Sequence, residues 1–208
     1  MNNINYDKLF KEYVSSLNGK KQKLLLHACC APCSSSVLER VTPYFDVTLF
    51  FYNPNITDKV EYDYRLKELY RFVHLVYGDK VKILEGDYNP QVFFHLAVGL
   101  ENLSEGGARC FNCYDERLKV TAKRAKEGGY DLFCTTLSVS PYKNAEKLNQ
   151  IGFALENSVG IKFLPADFKK QQGYVRSIEL SKEYDLYRQN YCGCVYSQRA
   201  KIACAPQE

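Results

Sequence analysis

Short, almost uninterrupted apolar segments alternate along this chain with longer segments of helical periodicity. The apolar segments predict strands at residues 23–27, 46–52, 81–84, 131–137 and 161–164. A strand that is apolar on both faces is typical of a parallel sheet, because helices then cover the sheet on both sides. The alternation therefore predicts an α/β fold, with a parallel sheet flanked by helices.

The helices are predicted between these strands. They include a helix that follows the first strand to Arg40, then 58–77, 91–98, a Lys- and Arg-rich helix that ends at Glu127, 144–156 and 176–184. A chain of 208 residues is long enough to build a full apolar core. We therefore expect residues 1–208 to form a single α/β domain, in which residues 185–208 are a C-terminal segment that begins as a loop.

Nothing in the chain predicts a membrane or an export route. No apolar run approaches the roughly 20 residues that cross a bilayer, and residues 1–11 lack the apolar core of a secretory signal. The expected compartment is the cytoplasm. The net charge of +4 permits a polyanionic partner without requiring one.

Seven of the nine cysteines fall in three tight groups, which are Cys29-Cys30-x-x-Cys33, Cys110-x-x-Cys113 and Cys192-Gly193-Cys194. In a reducing compartment such grouping indicates metal or redox chemistry rather than structural disulfides. The first group directly follows the first strand, and parallel α/β sheets bind ligands beyond the carboxyl ends of their strands. The sequence therefore predicts a cysteine-rich active-site rim at that edge of the sheet.

The first two groups predict a metal centre. Four thiolates, from Cys29, Cys30, Cys110 and Cys113, are what a 4Fe–4S cluster requires. A structural zinc site accepts similar pairs, so a zinc-stabilised nucleic-acid-binding module without catalysis remains an alternative. Adjacent Cys29 and Cys30 favour iron–sulfur, because zinc knuckles usually take both ligands of a pair from one CxxC turn.

Cys192-Gly193-Cys194 is a candidate redox pair. Two cysteines one residue apart close only a small strained ring, which is easily reduced. A metal-binding turn, two unpaired thiols and a thiol–disulfide oxidoreductase remain alternatives. Of the remaining cysteines, Cys134 is expected to be a buried apolar residue, and Cys204 carries no readable role.

These residues stand in motifs that resemble those of the epoxyqueuosine reductase QueH family. The motifs run in the family's order from about residue 23 to 200. They are His27-Ala28-Cys29-Cys30-Ala31-Pro32-Cys33-Ser34, Asn53-Pro54-Asn55, Arg109-Cys110-x-x-Cys113, Ser140-Pro141-Tyr142-Lys143, Asp167-Phe168-Lys169-Lys170 and Tyr187-Arg188-Gln189-x-Tyr191-Cys192-Gly193-Cys194.

The resemblance implies a nucleotide-α-hydrolase-like (HUP or Rossmann-like) sandwich and an oxidoreductase. Proteins of this family remove the epoxide oxygen from epoxyqueuosine in the tRNA anticodon, which gives queuosine, and they do so without cobalamin. By motif, Cys29, Cys30, Cys110 and Cys113 would hold the 4Fe–4S cluster, and Cys192 with Cys194 would be the redox-active pair. The external electron donor is not indicated.

The resemblance also implies further site residues. An additional iron ion is expected near the cluster, with Cys33 and His27 as the nearest spare donors. His27, Asp115 and Tyr191 are candidate proton donors by residue type alone. Contacts near the site are expected from Tyr142, Lys143, Arg188 and Gln189. Apart from the resemblance, the basic residues before the first strand and on the helix that ends at Glu127 are candidate phosphate contacts, with a solvated face as the alternative.

Overall fold

The computed structural model describes residues 4–203, so Cys204 lies outside the described residues. The described part contains a sheet of five strands in the order β3-β2-β1-β4-β5. All neighbouring strands are parallel, which confirms the predicted parallel sheet. The strands are β1 (Gln22–His27), β2 (Phe45–Phe51), β3 (Lys82–Glu85), β4 (Leu132–Thr135) and β5 (Lys162–Phe163).

Eight α-helices are described in residues 4–203. They are α1 (Tyr6–Ser16), α2 (Ala31–Val41), α3 (Lys59–Tyr77), α4 (Pro90–Ala97), α5 (Ala108–Glu127), α6 (Ala145–Val159), α7 (Gly173–Glu183) and α8 (Val195–Ala203). The predicted helices do not include α1 or α8. The periodicity of α1 is readable in retrospect, because Phe10, Tyr13, Val14 and Leu17 stand at helical spacing and pack into the core.

The two faces of the sheet carry separate apolar cores. On β1, Leu24 and Leu26 pack into the core that includes residues of α1, α2 and α3. Leu25 points the other way, into the core that includes α5 and α6, because alternate strand residues face opposite sides. The helices therefore cover both faces, as the uninterrupted apolar strands predict.

The strand order places a crevice at the carboxyl ends of β1 and β4. These strands are neighbours, and β1 leads into α2 on one face while β4 leads, through a 3₁₀ turn at Thr136–Val139, into α6 on the other. Connections that diverge in this way leave an opening in which doubly wound sheets bind ligands.

Within residues 4–203, no helix combines the length and the apolar composition needed for a membrane crossing.

Candidate active site

Three cysteine sulfurs gather where β1 passes into α2. Cys30 is the N-cap of α2, and Cys33 lies in its first turn. The Sγ atoms of Cys29, Cys30 and Cys33 all lie within 4.8 Å of one another, and the first two are 3.6 Å apart. This group could hold a metal ion, and it includes Cys33 together with the adjacent pair.

The negative charge of this group is concentrated on Cys30. Hydrogen bonds from the thiols of Cys29 and Cys33 lower the pKa of Cys30 well below its ordinary value, and the nearby Arg65 guanidinium acts in the same direction. The pKa of Cys33 is raised because its thiol is the donor in this arrangement. Gln189 Nε2 donates a further hydrogen bond to Cys30 Sγ at 2.9 Å. Cys30 is therefore prepared to act as a thiolate ligand.

The second cysteine pair lies on α5. Gly107 is the N-cap and Ala108 the first helical residue, so Cys110 is in the first turn and Cys113 one turn further along. Both are buried, and burial raises the pKa of Cys113 to about 12. Cys110 belongs to the apolar cluster against which Cys29 packs.

A buried arginine of α5, Arg117, lies beneath these sulfurs, and its side chain is 1% exposed. Its Nε donates to His27 Nε2 at 3.2 Å, and its Nη2 donates to Asn53 Oδ1 at 2.5 Å. The other ring nitrogen of His27 pairs with Thr135 Oγ1 at 2.9 Å. Burial, followed by the charge of Arg117, lowers the pKa of His27 to about 3. His27 is therefore neutral at physiological pH, with both nitrogens engaged inside the protein.

Arg117 is also affected by sulfurs from all three cysteine groups. Burial alone would lower its pKa, but the sulfurs of Cys113, Cys29 and Cys192 raise it above its usual value. In the described part of the chain no carboxylate forms an ion pair with Arg117. A buried cation without a carboxylate partner requires another source of negative charge. Metal-bound thiolates at Cys29 and Cys113 would supply it, since the raised pKa of Cys113 keeps its thiol protonated when no metal binds it.

The Cys192–Gly193–Cys194 turn docks on the loop after β2. Thr57 N–H donates to the carbonyl of Gly193 at 3.2 Å, and Arg65 Nη1 donates to the carbonyl of Cys192 at 3.1 Å. Gly193 has φ +114°, and a Cβ there would lie 2.9 Å from Ile56 Cγ1. Only glycine fits both constraints. Both thiols of the turn are free, so a redox-active disulfide remains a prediction.

The remaining sequence candidates fall in different places. Lys143 Nζ donates to Cys192 Sγ at 3.1 Å, and Gln189 contacts Cys30 as described. Tyr142 is exposed at the rim. Arg188 instead bonds Ser177 and Ser181 of α7, and Asp115 is exposed on α5. The structure therefore brings Lys143 and Gln189 to the sulfurs but gives Arg188 and Asp115 no contact with them.

The predicted phosphate-contacting residues lie at the other end of the sheet. They precede β1, lie at its start or occupy the second half of α5, which leads toward the start of β4, and all are exposed. These residues are Lys20, Lys21, Lys23, Lys119, Lys123, Arg124 and Lys126. The amino ends of parallel strands are remote from the cysteine rim at the carboxyl ends.

Among the described residues, the sulfurs grouped closely enough to hold a metal ion are those of Cys29, Cys30 and Cys33, so the participation of Cys110 and Cys113 remains a prediction. Thiolates bind both iron–sulfur clusters and zinc, and a thiolate-ligated centre is the negative partner that buried Arg117 requires. Sequence reasoning does not find Arg117 or Arg65, because each lies in a helix rich in charged residues and resembles a solvent-facing side chain. Only their burial reveals them.

We expect Arg117→Met to destabilise the protein by about 2–4 kcal/mol, because it leaves the buried acceptors Asn53 Oδ1 and His27 Nε2 without their donor. Anaerobic urea unfolding measures the change. Arg124→Met is the matched control on the same helix, since the Arg124 side chain is 50% exposed, and it should change stability by less than about 0.5 kcal/mol. Equal losses in the two variants would contradict the role given to Arg117.

The fold and the site together define a Rossmann-like α/β protein. Its thiol-lined centre lies in the crevice at the carboxyl ends of β1 and β4. A family model described as "Epoxyqueuosine reductase QueH" matches residues 24–200. The chain belongs to this family, and similar proteins from several bacteria carry the same name.

Three relatives named Epoxyqueuosine reductase QueH illustrate the similarity. The protein from Staphylococcus epidermidis is 44% identical over 201 residues, which cover 93% of this chain and 84% of the relative. The protein from Streptococcus pyogenes serotype M1 is 42% identical over 201 residues, 94% of this chain and 79% of the relative. The protein from Thermotoga maritima is 36% identical over 177 residues, 84% of this chain and 89% of the relative.

Proposed function

We propose that this chain reduces epoxyqueuosine to queuosine in tRNA, the last step of queuosine biosynthesis. Membership of the family supports the reaction and the tRNA substrate. The structural observation that carries the proposal is the group of sulfurs from Cys29, Cys30 and Cys33, which lie within 4.8 Å of one another and could hold a metal ion. Gln189, which precedes the Cys192–Cys194 turn in sequence, donates to Cys30 Sγ at 2.9 Å, and this contact supports a role of the dithiol near that group.

Cys29, Cys30, Cys110 and Cys113 would hold a 4Fe–4S cluster, which passes electrons one at a time when bound. The lowered pKa of Cys30 supports its role as a thiolate ligand. For an additional iron, Cys33 is the better of the two spare donors, because the ring nitrogens of His27 already have protein partners. Arg117 would stabilise the negative charge of the whole centre.

Conversion of an epoxide to an alkene consumes two electrons and two protons and releases water. The Cys192–Cys194 dithiol provides two of each when it becomes a disulfide, and an external donor must then restore it. Arg65 and Thr57 hold this turn against α3 and the loop after β2. Cys194 is buried, so the turn also keeps bulk water from the inner sulfur.

Metal analysis combined with a nucleoside assay tests the proposal. Anaerobically purified protein should be brown and contain about four iron and four sulfide per chain. It should convert epoxyqueuosine in tRNA to queuosine, as measured by mass spectrometry of digested nucleosides. A colourless protein with about one zinc and no conversion would instead support the zinc-stabilised nucleic-acid-binding module. Conversion that survives removal of the metal would support a simple thiol–disulfide oxidoreductase.

Tyr142 is a candidate stacking platform for a base of the anticodon loop. It is 71% exposed and directly precedes Lys143, which contacts Cys192. Stacking of a base on an aromatic ring contributes about 1–3 kcal/mol. We expect Tyr142→Ala to raise KM for tRNA by about tenfold, which corresponds to 1.4 kcal/mol, with a smaller effect on kcat.

Two variants control this measurement. Tyr142→Phe keeps the ring and should retain the KM of the unaltered protein. Tyr44→Ala removes a tyrosine that is 42% exposed but directly precedes β2, at the opposite edge of the sheet, and it should have no effect. If Tyr142→Ala and Tyr44→Ala gave the same KM, the stacking role would be wrong.

A further inference from the structure

The two sulfurs of the Cys192–Cys194 pair have different surroundings. Cys192 is half-buried, and its Sγ accepts a hydrogen bond from Lys143 Nζ at 3.1 Å. Cys194 is buried, and its Sγ contacts only the hydroxyl and N–H of Ser197, at 3.4 and 3.3 Å, among the hydrogen bonds of the described residues. Burial, followed by the charge of Cys192, raises the pKa of Cys194. The pair is therefore electrostatically asymmetric.

Lys143 is a buried cation, 8% exposed. Its Nζ is shared between Cys192 Sγ and Glu105 Oε1, both at 3.1 Å. Burial alone would lower the pKa of Lys143, but Cys192, Tyr114 and Glu105 raise it well above its usual value. Lys143 therefore remains an ammonium group beside the sulfur.

The backbone of Lys143 is also anchored. Lys169 Nζ donates to the carbonyl of Lys143 at 3.2 Å and to the carbonyl of Ser138 at 3.1 Å, and it forms an ion pair with Asp167 at 3.4 Å. These contacts join the 140–143 motif to the 167–170 motif. A side chain attached to a fixed backbone loses less conformational entropy when it forms a charged contact. The ammonium is therefore preorganised beside Cys192.

Other charged groups approach Cys192 without bonding its sulfur as Lys143 does. They are Arg65 with its partner Glu61 from α3, and Cys113, Tyr114 and Arg117 from α5. Arg65 donates to the carbonyl of Cys192 rather than to its Sγ. The charge of Arg117 interacts with the sulfurs of Cys113 and Cys29 as well as with that of Cys192. Among the described residues, Lys143 is the cation that donates directly to this sulfur.

We propose that Lys143 is a positioning residue that stabilises the thiolate form of Cys192 and so makes Cys192 the more nucleophilic sulfur of the pair. The proposal rests on the proposed function only in treating the two cysteines as a redox pair. A thiolate is the nucleophilic form of cysteine, and a hydrogen bond from a buried ammonium is roughly twice as strong as a neutral one. Cys192 is then the first sulfur of the pair to react, and Cys194 is the second.

Alkylation of the reduced holoprotein with neutral iodoacetamide at pH 7, under anaerobic conditions, tests this order. The sulfur–carbon bond forms as iodide leaves, and tandem mass spectrometry of the tryptic peptide 189–199 distinguishes the two cysteines. Cys192 should be alkylated faster than Cys194. Lys143→Met should slow alkylation of Cys192 by about tenfold, whereas Lys143→Arg, which keeps a cation, should stay within about threefold of the unaltered protein.

Two further variants separate charge from local structure. Lys147→Met removes a nearby cation that lies 5.4 Å from the Phe111 ring and should leave the rate unchanged. Glu105→Gln removes the carboxylate that competes for Lys143, so Cys192 should react at least as fast as in the unaltered protein.

The proposal is overturned if Lys143→Met reacts at the rate of the unaltered protein or faster, or if Lys143→Arg is as slow as Lys143→Met. It is also overturned if Glu105→Gln slows the reaction as much as Lys143→Met, since the pair would then act only as a structural support. Faster alkylation of Cys194 than of Cys192 would also overturn the proposal. The assay needs neither tRNA nor turnover, so its outcome is independent of whether the chain reduces epoxyqueuosine.

Discussion

Replacement of Cys192 by serine should abolish turnover and leave the metal centre in place. A serine hydroxyl has nearly the size of the thiol but cannot form a disulfide, so the pair loses its two-electron chemistry. We expect kcat to fall by at least about a hundredfold. Iron and sulfide content and the visible spectrum should match those of the unaltered protein, because the proposed cluster ligands are Cys29, Cys30, Cys110 and Cys113.

Cys134→Ala is the matched control for the loss of one thiol. Cys134 lies in β4, is buried, and donates to the carbonyl of Leu164 at 3.2 Å, as expected for a cysteine that acts as a small apolar residue. This variant should retain both the metal and the turnover. Normal turnover in Cys192→Ser would remove the dithiol from the mechanism, whereas loss of the metal in that variant would make Cys192 a ligand.

Replacement of Cys110 by serine should remove the metal centre itself. Serine is not ionised at neutral pH and is a poor substitute for a thiolate ligand, so iron and sulfide should fall by more than about tenfold and the brown colour should be lost. Turnover should disappear with them. Anaerobic metal analysis and the visible spectrum of the purified variant measure the effect, with Cys134→Ala again as the control.

Cys33→Ser distinguishes two ways of building the centre. The structure groups Cys33 with Cys29 and Cys30, whereas the family motifs assign the ligands to Cys29, Cys30, Cys110 and Cys113. We expect Cys33→Ser to keep the cluster's sulfide while losing any additional iron. If Cys33→Ser lost the cluster and Cys110→Ser kept it, the three cysteines at the start of α2 would be the main metal site instead.

Much of the fold is legible in the sequence. The apolar segments at residues 23–27 and 46–52 correspond closely to β1 and β2, and the helical periodicity of 58–77 corresponds to α3. Buried strands and long amphipathic helices leave strong periodic signals because their burial is itself periodic. The ends of helices and strands are harder to predict. The start of α5 depends on the extended backbone of Gly107 as its N-cap, and no side-chain pattern records that conformation.

The cysteine spacing and the order of the motifs are properties of the chain alone, and they were sufficient to indicate a thiol centre, its edge of the sheet and the family. The chain alone does not show which charged side chains surround the sulfurs. Arg65 and Arg117 lie in charged stretches that resemble solvated surface, yet both are buried, and the position of Lys143 beside Cys192 is likewise visible only in the structure. Whether a basic side chain faces water or a thiolate depends on long-range packing of α3, α5 and the 140–143 loop against the sheet, which local periodicity does not encode.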